Sequence, residues 1–123
     1  MTKVRVSVND QRIKDLLTNA LEGGSNYWYR IKSYNYPEGQ TRETMKMEFP
    51  RIDLPFAGGS LTIVDFEGDM PDKVLDRKAL LKGLSIMAKD EPRHFADFMS
   101  QHDDAITADV FLQCACFGKV IYG

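Results

Sequence analysis

Cysteine, histidine and tryptophan are all scarce: 2, 2 and 1 of the 123 residues. Two cysteines cannot build the disulfide framework of a small secreted domain. Cys114 and Cys116 also lack the two-residue spacer or second ligand pair of a zinc site. The two histidines, His94 and His102, do not stand three or four apart, and no HExxH arrangement is present to hold a metal on one helix face. No apolar run approaches the ~20 residues of a membrane span, and the opening residues lack the apolar stretch of a secretory signal. An excess of positive charge is missing too. Lys and Arg number 16 against 18 Asp and Glu, for a formal net charge of −2 and a pI of 5.6, whereas a duplex-binding module usually has a pI above about 9. Nucleic acid is therefore disfavoured as a partner.

What is present is the composition of one globular domain over residues 1–123. With 43% hydrophobic and 28% charged residues, such a chain can bury a core without metals or disulfides. Charge is unevenly spread. Residues 1–51 hold nine Lys and Arg against six Asp and Glu, and the remainder hold seven against twelve. There is no internal repeat, low-complexity segment or linker.

The helical signal is strongest from Leu75 to Phe117. Leu80, Leu81, Leu84, Met87 and Ala88 fall on one side of a helix. Asp76 is its expected N-cap, with Leu75 and Leu80 spaced as a hydrophobic staple. Lys89 suits its C-terminal end, and Pro92 ends it and starts a second helix to about Ser100, with Phe95, Phe98 and Met99 as its stripe. Asp103 and Asp104 favour the start of a third helix, with Thr107 as a competing cap. Val110 to Phe117 is apolar nearly all round, as in a helix enclosed by its neighbours, and Gly118 can end it. Cys114 and Cys116 lie in that run and read as buried free thiols, which fit a cytosolic compartment.

Earlier in the chain, Val4, Val6 and Val8 alternate with polar residues as a short strand. Asn9 then caps a helix whose stripe, Ile13, Leu16, Leu17, Ala20 and Leu21, stops at Gly23-Gly24. Tyr27 to Tyr36 favours a strand, with Tyr27, Tyr29 and Ile31 on one face and Trp28, Arg30, Lys32 and Tyr34 on the other. Further strands are expected over Met45, Met47 and Phe49 and over Leu61 to Phe66. Ala57 to Ser60 connects them, and Pro50 to Pro55 breaks regular pairing. Glu67 to Pro71 reads as a polar turn into the helical half. Lys119 to Tyr122 reads as a last strand beside the first, or as the end of a buried helix. The expected fold is α+β, a small antiparallel sheet of three to five strands packed against three or four helices.

Tyr27-Trp-Tyr29, with Asn26 before and Arg30 after, is the most distinctive aromatic and polar concentration. Trp, Tyr and Arg recur at interface centres, and aromatic faces stack on bases. Asn26, Trp28 and Arg30 are thus the candidate binding residues, while Tyr27 and Tyr29 are expected to fill the core. The bland alternative has Trp28 only covering the open face of the sheet. His94 and Asp97, three apart on one helix face, are weak candidates for an acid and base pair, since no activated nucleophile accompanies them. His94, His102, Asp103 and Asp104 do not form a metal set, and Gly58-Gly59-Ser60 and Gly23-Gly24 read as turns rather than phosphate cradles. No cofactor is expected.

Asn19-Ala-Leu-Glu-Gly-Gly-Ser-Asn-Tyr-Trp-Tyr-Arg-Ile31, Leu75-Asp-Arg-Lys-Ala-Leu-Leu-Lys-Gly-Leu84, Pro92-Arg-His-Phe-Ala-Asp-Phe98 and Thr107-Ala-Asp-Val-Phe-Leu-Gln113 together resemble a family of small uncharacterised proteins of phages, prophages and other mobile elements. The resemblance spans nearly the whole chain and is weakest over residues 37–70. It implies an accessory protein of a bacterial virus acting in the cytoplasm of the host, and carries over no site residue. The expected function is a non-catalytic binding protein, a host-defence antagonist that binds a host protein or sequesters a small nucleotide. The competing reading is a small enzyme acting on a nucleotide or nucleic acid, with His94 and Asp97 or the Asp103 to Asp109 acids converging in its site. Self-assembly is compatible with both, because so small a sheet has free edges.

Overall fold

The structure is a computed structural model and describes residues 7–123. Val4 and Val6 of the expected first strand lie outside these residues, while Val8 packs half-buried on the core. Helix α1 (Asp10–Asn19) starts where Asn9 accepts from the Arg12 N–H at 2.9 Å. Its stripe of Ile13, Leu16 and Leu17 is wholly buried. A wider π-helical turn over Ala20–Gly24 continues it and keeps Ala20 and Leu21 inside. A Cβ at Gly24 would strike the Ala105 carbonyl, so glycine allows this turn to meet the last helix.

Strand β1 (Tyr29–Asn35) begins only after a turn at residues 25–28, in which the Trp28 and Tyr29 N–H groups both donate to the Ser25 carbonyl. That turn reverses an expectation. Strand alternation does not reach back to Tyr27, so Tyr27 is 49% exposed and Trp28 only 3%.

The strand expected at Met45, Met47 and Phe49 does not form. Thr41 and Thr44 exchange backbone-to-hydroxyl hydrogen bonds of 2.8 and 3.1 Å, and the Arg42 guanidinium donates to the Met47 and Glu48 carbonyls. These local side-chain bonds offer the backbone an alternative to a ladder. Pro50 to Ala57 is helical instead, as a one-turn α2 (Pro50–Asp53) followed by a 3-10 turn (Leu54–Ala57) that ends at Gly58 with φ of +89°.

Strands β2 (Ser60–Asp65) and β3 (Lys73–Leu75) complete an antiparallel sheet in the order β1-β2-β3. Ile31 faces Ile63, Leu61 faces Leu75, and a bulge lies between Ile31 and Ser33. The sequence reading did not include β3. Its three residues are too short for a period, and Leu75 serves both as a strand residue and as the staple beside Asp76.

Helix α3 (Arg77–Asp90) is capped by Asp76, which accepts from the Ala79 N–H at 2.8 Å. After Glu91 the chain turns at Pro92 into α4 (Pro92–Met99), which buries Phe98. Asp104 caps α5 (Ala105–Phe117) by accepting from the Thr107 N–H, and Gly118 at φ +75° ends it. That backbone bond, the first of several causes, holds the Asp104 carboxyl below its ordinary pKa. Every residue of α5 from Thr107 to Cys114 is buried, as expected of a helix enclosed on all sides. Helix α3 approaches it closely: a Cβ at Gly83 would lie 2.6 Å from the Ala115 Cα.

Cys114 and Cys116 are buried and unpaired. Burial, aided by the charges of Glu91 and Asp90, pushes the Cys114 thiol up to about 11. Burial pushes Cys116 to about 12 against the opposing charge of Lys73.

Lys119 to Tyr122 forms neither a strand nor the end of a helix. The Ile121 and Tyr122 N–H groups both donate to the Gln113 side-chain carbonyl at 2.8 Å, so a single amide on α5 takes the place of a neighbouring strand. Among the described residues no helix is long and apolar enough to cross a membrane. The fold is α+β.

Candidate functional site

Asp109 sits in the middle of the mostly apolar helix α5, and three donors from one turn converge on it. Its Oδ1 accepts from the Ser25 hydroxyl and the Trp28 indole N–H, each at 2.8 Å, and its Oδ2 accepts from the Tyr27 hydroxyl at 2.6 Å. Gln113 lies one helical turn further along the same face. Its Nε2 donates to the Tyr122 carbonyl at 3.1 Å and lies 3.4 Å from the Tyr27 hydroxyl. The Trp28 ring is stacked on Tyr122 at 5.3 Å and tilted against Phe117 at 5.2 Å. Burial, then the hydrogen bond and charge of Asp109, raise the Tyr27 hydroxyl to about 12, opposed by its bond with Gln113. A buried polar network in which each member has partners fixes one geometry. Here it fixes the 25–28 turn and the C-terminal residues against α5.

Two cavities open beside this network and share Tyr27 and Tyr122 in their walls. One, of about 220 Å³, is lined by Tyr27, Trp28, Asp65, Phe66, Glu67 and Tyr122. The other, of about 510 Å³ and mostly apolar, runs from Gly23-Gly24 past Ile106 to Val120. Large apolar side chains stand exposed around both, among them Phe66 (56%) and Ile106 (64%). Asp65, at the end of β2, is buried. Its Oδ2 accepts from the Tyr122 hydroxyl at 3.0 Å, whereas its Oδ1 has no hydrogen-bond partner among the described residues. Burial, followed by the hydrogen bond and charge of Asp65 and the charges of Glu67 and Asp69, raises the Tyr122 pKa.

The candidate binding residues are divided between these surfaces. Asn26 and Arg30 are exposed and line a third, shallow cavity of about 330 Å³ with Tyr29, Ile31, Tyr34 and Arg51. Arg51 is ion-paired there with Glu22. Trp28 is not beside them on that surface. It forms a wall of the acidic cavity, with its N–H committed to Asp109.

His94 and Asp97 are not brought together as a pair. His94 Nδ1 lies 3.0 Å from the Thr107 hydroxyl, and among the described residues no hydrogen bond or ion pair joins it to Asp97. His102 Nδ1 lies 3.2 Å from the Ser100 hydroxyl, and Asp103 is 3.9 Å from the Arg12 guanidinium. Among the described residues no group of three or more His, Cys, Asp or Glu gathers as a metal site.

Ser25, Asp65, Gln113 and Tyr122 were not singled out by the sequence, and Asp109 only as one of the Asp103 to Asp109 acids of the competing enzyme reading. Asp109 and Gln113 did leave a signal, as two polar residues four apart inside a run that is otherwise apolar. Asp65 left none, because an acid at the end of a strand reads as the beginning of a turn.

The fold and its cavities thus define a small α+β protein with an aromatic surface pinned by a buried carboxylate. No protein-family model, no curated protein and no solved structure matches the chain.

Proposed function

We propose that the chain is a non-catalytic binding protein, encoded by a phage or prophage, that antagonises a host defence by engaging a host protein in the cytoplasm of the bacterium. The origin rests on the family resemblance of Asn19–Ile31, Leu75–Leu84, Pro92–Phe98 and Thr107–Gln113. The observation that carries the binding reading is the continuous surface of two cavities sharing Tyr27 and Tyr122, with Phe66 and Ile106 exposed around it. Exposed aromatic and aliphatic residues on a rigid support characterise interaction sites. The support is rigid here because Asp109 and Gln113 tie the 25–28 turn and residues 121–122 to the most buried helix. Both thiols are buried with raised pKa values, and the Thr107 hydroxyl that His94 bonds is buried as well, which supports binding over nucleophilic catalysis at these groups.

The test is gentle purification of the tagged chain from its bacterial host, followed by native mass spectrometry, beside an Ile106→Asp variant. Ile106 is exposed, so the substitution should not disturb folding. A single host protein that co-purifies at fixed stoichiometry and is lost from Ile106→Asp is the expected result. No partner, or one captured equally by the variant, would contradict the reading. A retained nucleotide instead would move the site to the Asn26, Arg30 and Arg51 surface.

A further inference from the structure

We propose that the cavity lined by Tyr27, Trp28, Asp65, Phe66, Glu67 and Tyr122 binds an organic cation bearing N–H groups, an alkylammonium or a guanidinium. This deepens the reading of that surface as a binding site, but does not depend on which macromolecule, if any, supplies the cation. Four aromatic and two acidic residues line the cavity, and no Lys, Arg or His does. Aromatic faces and carboxylates both attract a cation, most strongly where water is excluded, and both disfavour an anion.

Asp65 makes the preference specific. It is 7% exposed and forms no ion pair among the described residues. The Tyr122 hydroxyl serves Oδ2, and Oδ1 has no donor. A buried acceptor without a donor is costly; Oδ1 is itself enclosed, so an N–H entering the cavity reaches it by displacing part of the wall, and the bond made there removes that cost. A quaternary ammonium satisfies the rings but offers Oδ1 nothing, so it should bind more weakly than a primary ammonium or a guanidinium. Size agrees with a small ligand group. At about 220 Å³ the cavity lies below the roughly 300–1,000 Å³ of sites that enclose a drug-sized molecule. It accommodates the end of a side chain or a short amine rather than a whole nucleotide. Trp28 is stacked on Tyr122 and Tyr27 is held by Asp109, so these rings serve as fixed walls, leaving Phe66, about half exposed, to close over a guest.

The cation could come from a Lys or Arg side chain of a protein or from a free amine, and one experiment separates these sources. Trp28 is the only tryptophan, so its indole N–H gives a single nuclear magnetic resonance signal beside the cavity. The labelled full chain would be titrated with butylguanidinium, butylammonium, butyltrimethylammonium and butanol, and with a blocked tripeptide carrying one central arginine. Saturable shifts of the Trp28 indole are expected for the two N–H cations, about tenfold weaker binding for the trimethyl compound, and none for the alcohol. Asp65→Asn should weaken butylguanidinium binding about tenfold. Glu67→Gln and Phe66→Ala, at exposed positions that leave folding intact, should each weaken it severalfold, and they decide the matter if Asp65→Asn does not fold.

Tighter binding of the tripeptide than of butylguanidinium assigns the site to a protein side chain, and equal binding assigns it to a free amine. Butanol matching the cations, no saturable shift with any cation, or binding indifferent to Phe66→Ala and Glu67→Gln would overturn the proposal. Cation binding without any co-purifying host protein would leave this site standing and remove the host-protein reading. A host protein lost from Ile106→Asp with no cation binding would do the reverse.

Discussion

Two buried carboxylates bond the Tyr27, Trp28 and Tyr122 side chains, Asp109 the first two and Asp65 the third, and they are treated differently. Asp109 accepts from Ser25, Tyr27 and Trp28, three donors from a single turn. Among the described residues Asp65 accepts from Tyr122 alone and keeps one oxygen unpartnered. A buried acid costs stability unless its hydrogen-bonding capacity is met. The first carboxylate meets that condition within the fold and therefore acts as a structural fastener. The second does not meet it within the described residues and borders a cavity, and on that observation the proposed cation site rests.

The largest expected effect lies on the Asp109 side. Asp109→Ala would orphan three donors, two of them buried, and open space inside the helix packing. It should destabilise the fold by about 3 kcal/mol or more, read from the shift of the urea unfolding midpoint. A loss below about 1 kcal/mol would erase the distinction between the two acids. Trp28→Phe removes the indole donor and replaces the bicyclic ring by a smaller one, leaving Ser25 on Oδ1. A loss of about 1–2 kcal/mol is expected in the same experiment.

Smaller, and sharper, is a pH effect at Tyr27. Its folded-state pKa is raised to about 12 from an ordinary value of 10, because burial and Asp109 favour the neutral phenol. The stability it contributes should be complete below pH 10 and be lost as pH rises towards 12. Tyr29 and Tyr122 are raised as well, so the relevant quantity is the stability difference between the native chain and Tyr27→Phe. That difference should shrink over this window and stay constant below it. A flat difference across the window would mean that neither burial nor Asp109 favours the neutral phenol in the folded chain.

Much of this architecture was legible in the sequence because it is local. Asn9, Asp76 and Asp104 announce their helices through one side chain bonding a backbone N–H three residues on, and Gly118 ends α5 in the way its position suggests. The buried run from Val110 to Phe117 needed only its composition. What could not be read depends on long-range partners or on competition. Alternation over Met45 to Phe49 implies a strand only if nothing local binds the backbone first, and Thr41, Arg42 and Thr44 do. Trp28 was placed on the open face of the strand and is instead buried. Whether the strand period extends to residue 27 is decided by the Ser25 turn, and that turn is held by Asp109, more than eighty positions away. The acidic cavity was not legible at all, since Asp65 and Tyr122 meet only because Gln113 ties down the chain after α5.

The most direct test of the contrast is equilibrium urea unfolding of Asp65→Asn and Asp109→Asn, measured side by side with the native chain at neutral pH. Asparagine is nearly the same size as aspartate, but it replaces one acceptor oxygen with a donor. At Asp109 the amide must confront one of the converging donors, and a loss of about 1–3 kcal/mol is expected. At Asp65 the amide can turn its carbonyl towards Tyr122 and remove a buried charge, so stability should be unchanged or slightly higher. Equal losses at the two positions, or the larger loss at Asp65, would contradict the division between a fastener and a vacant acceptor.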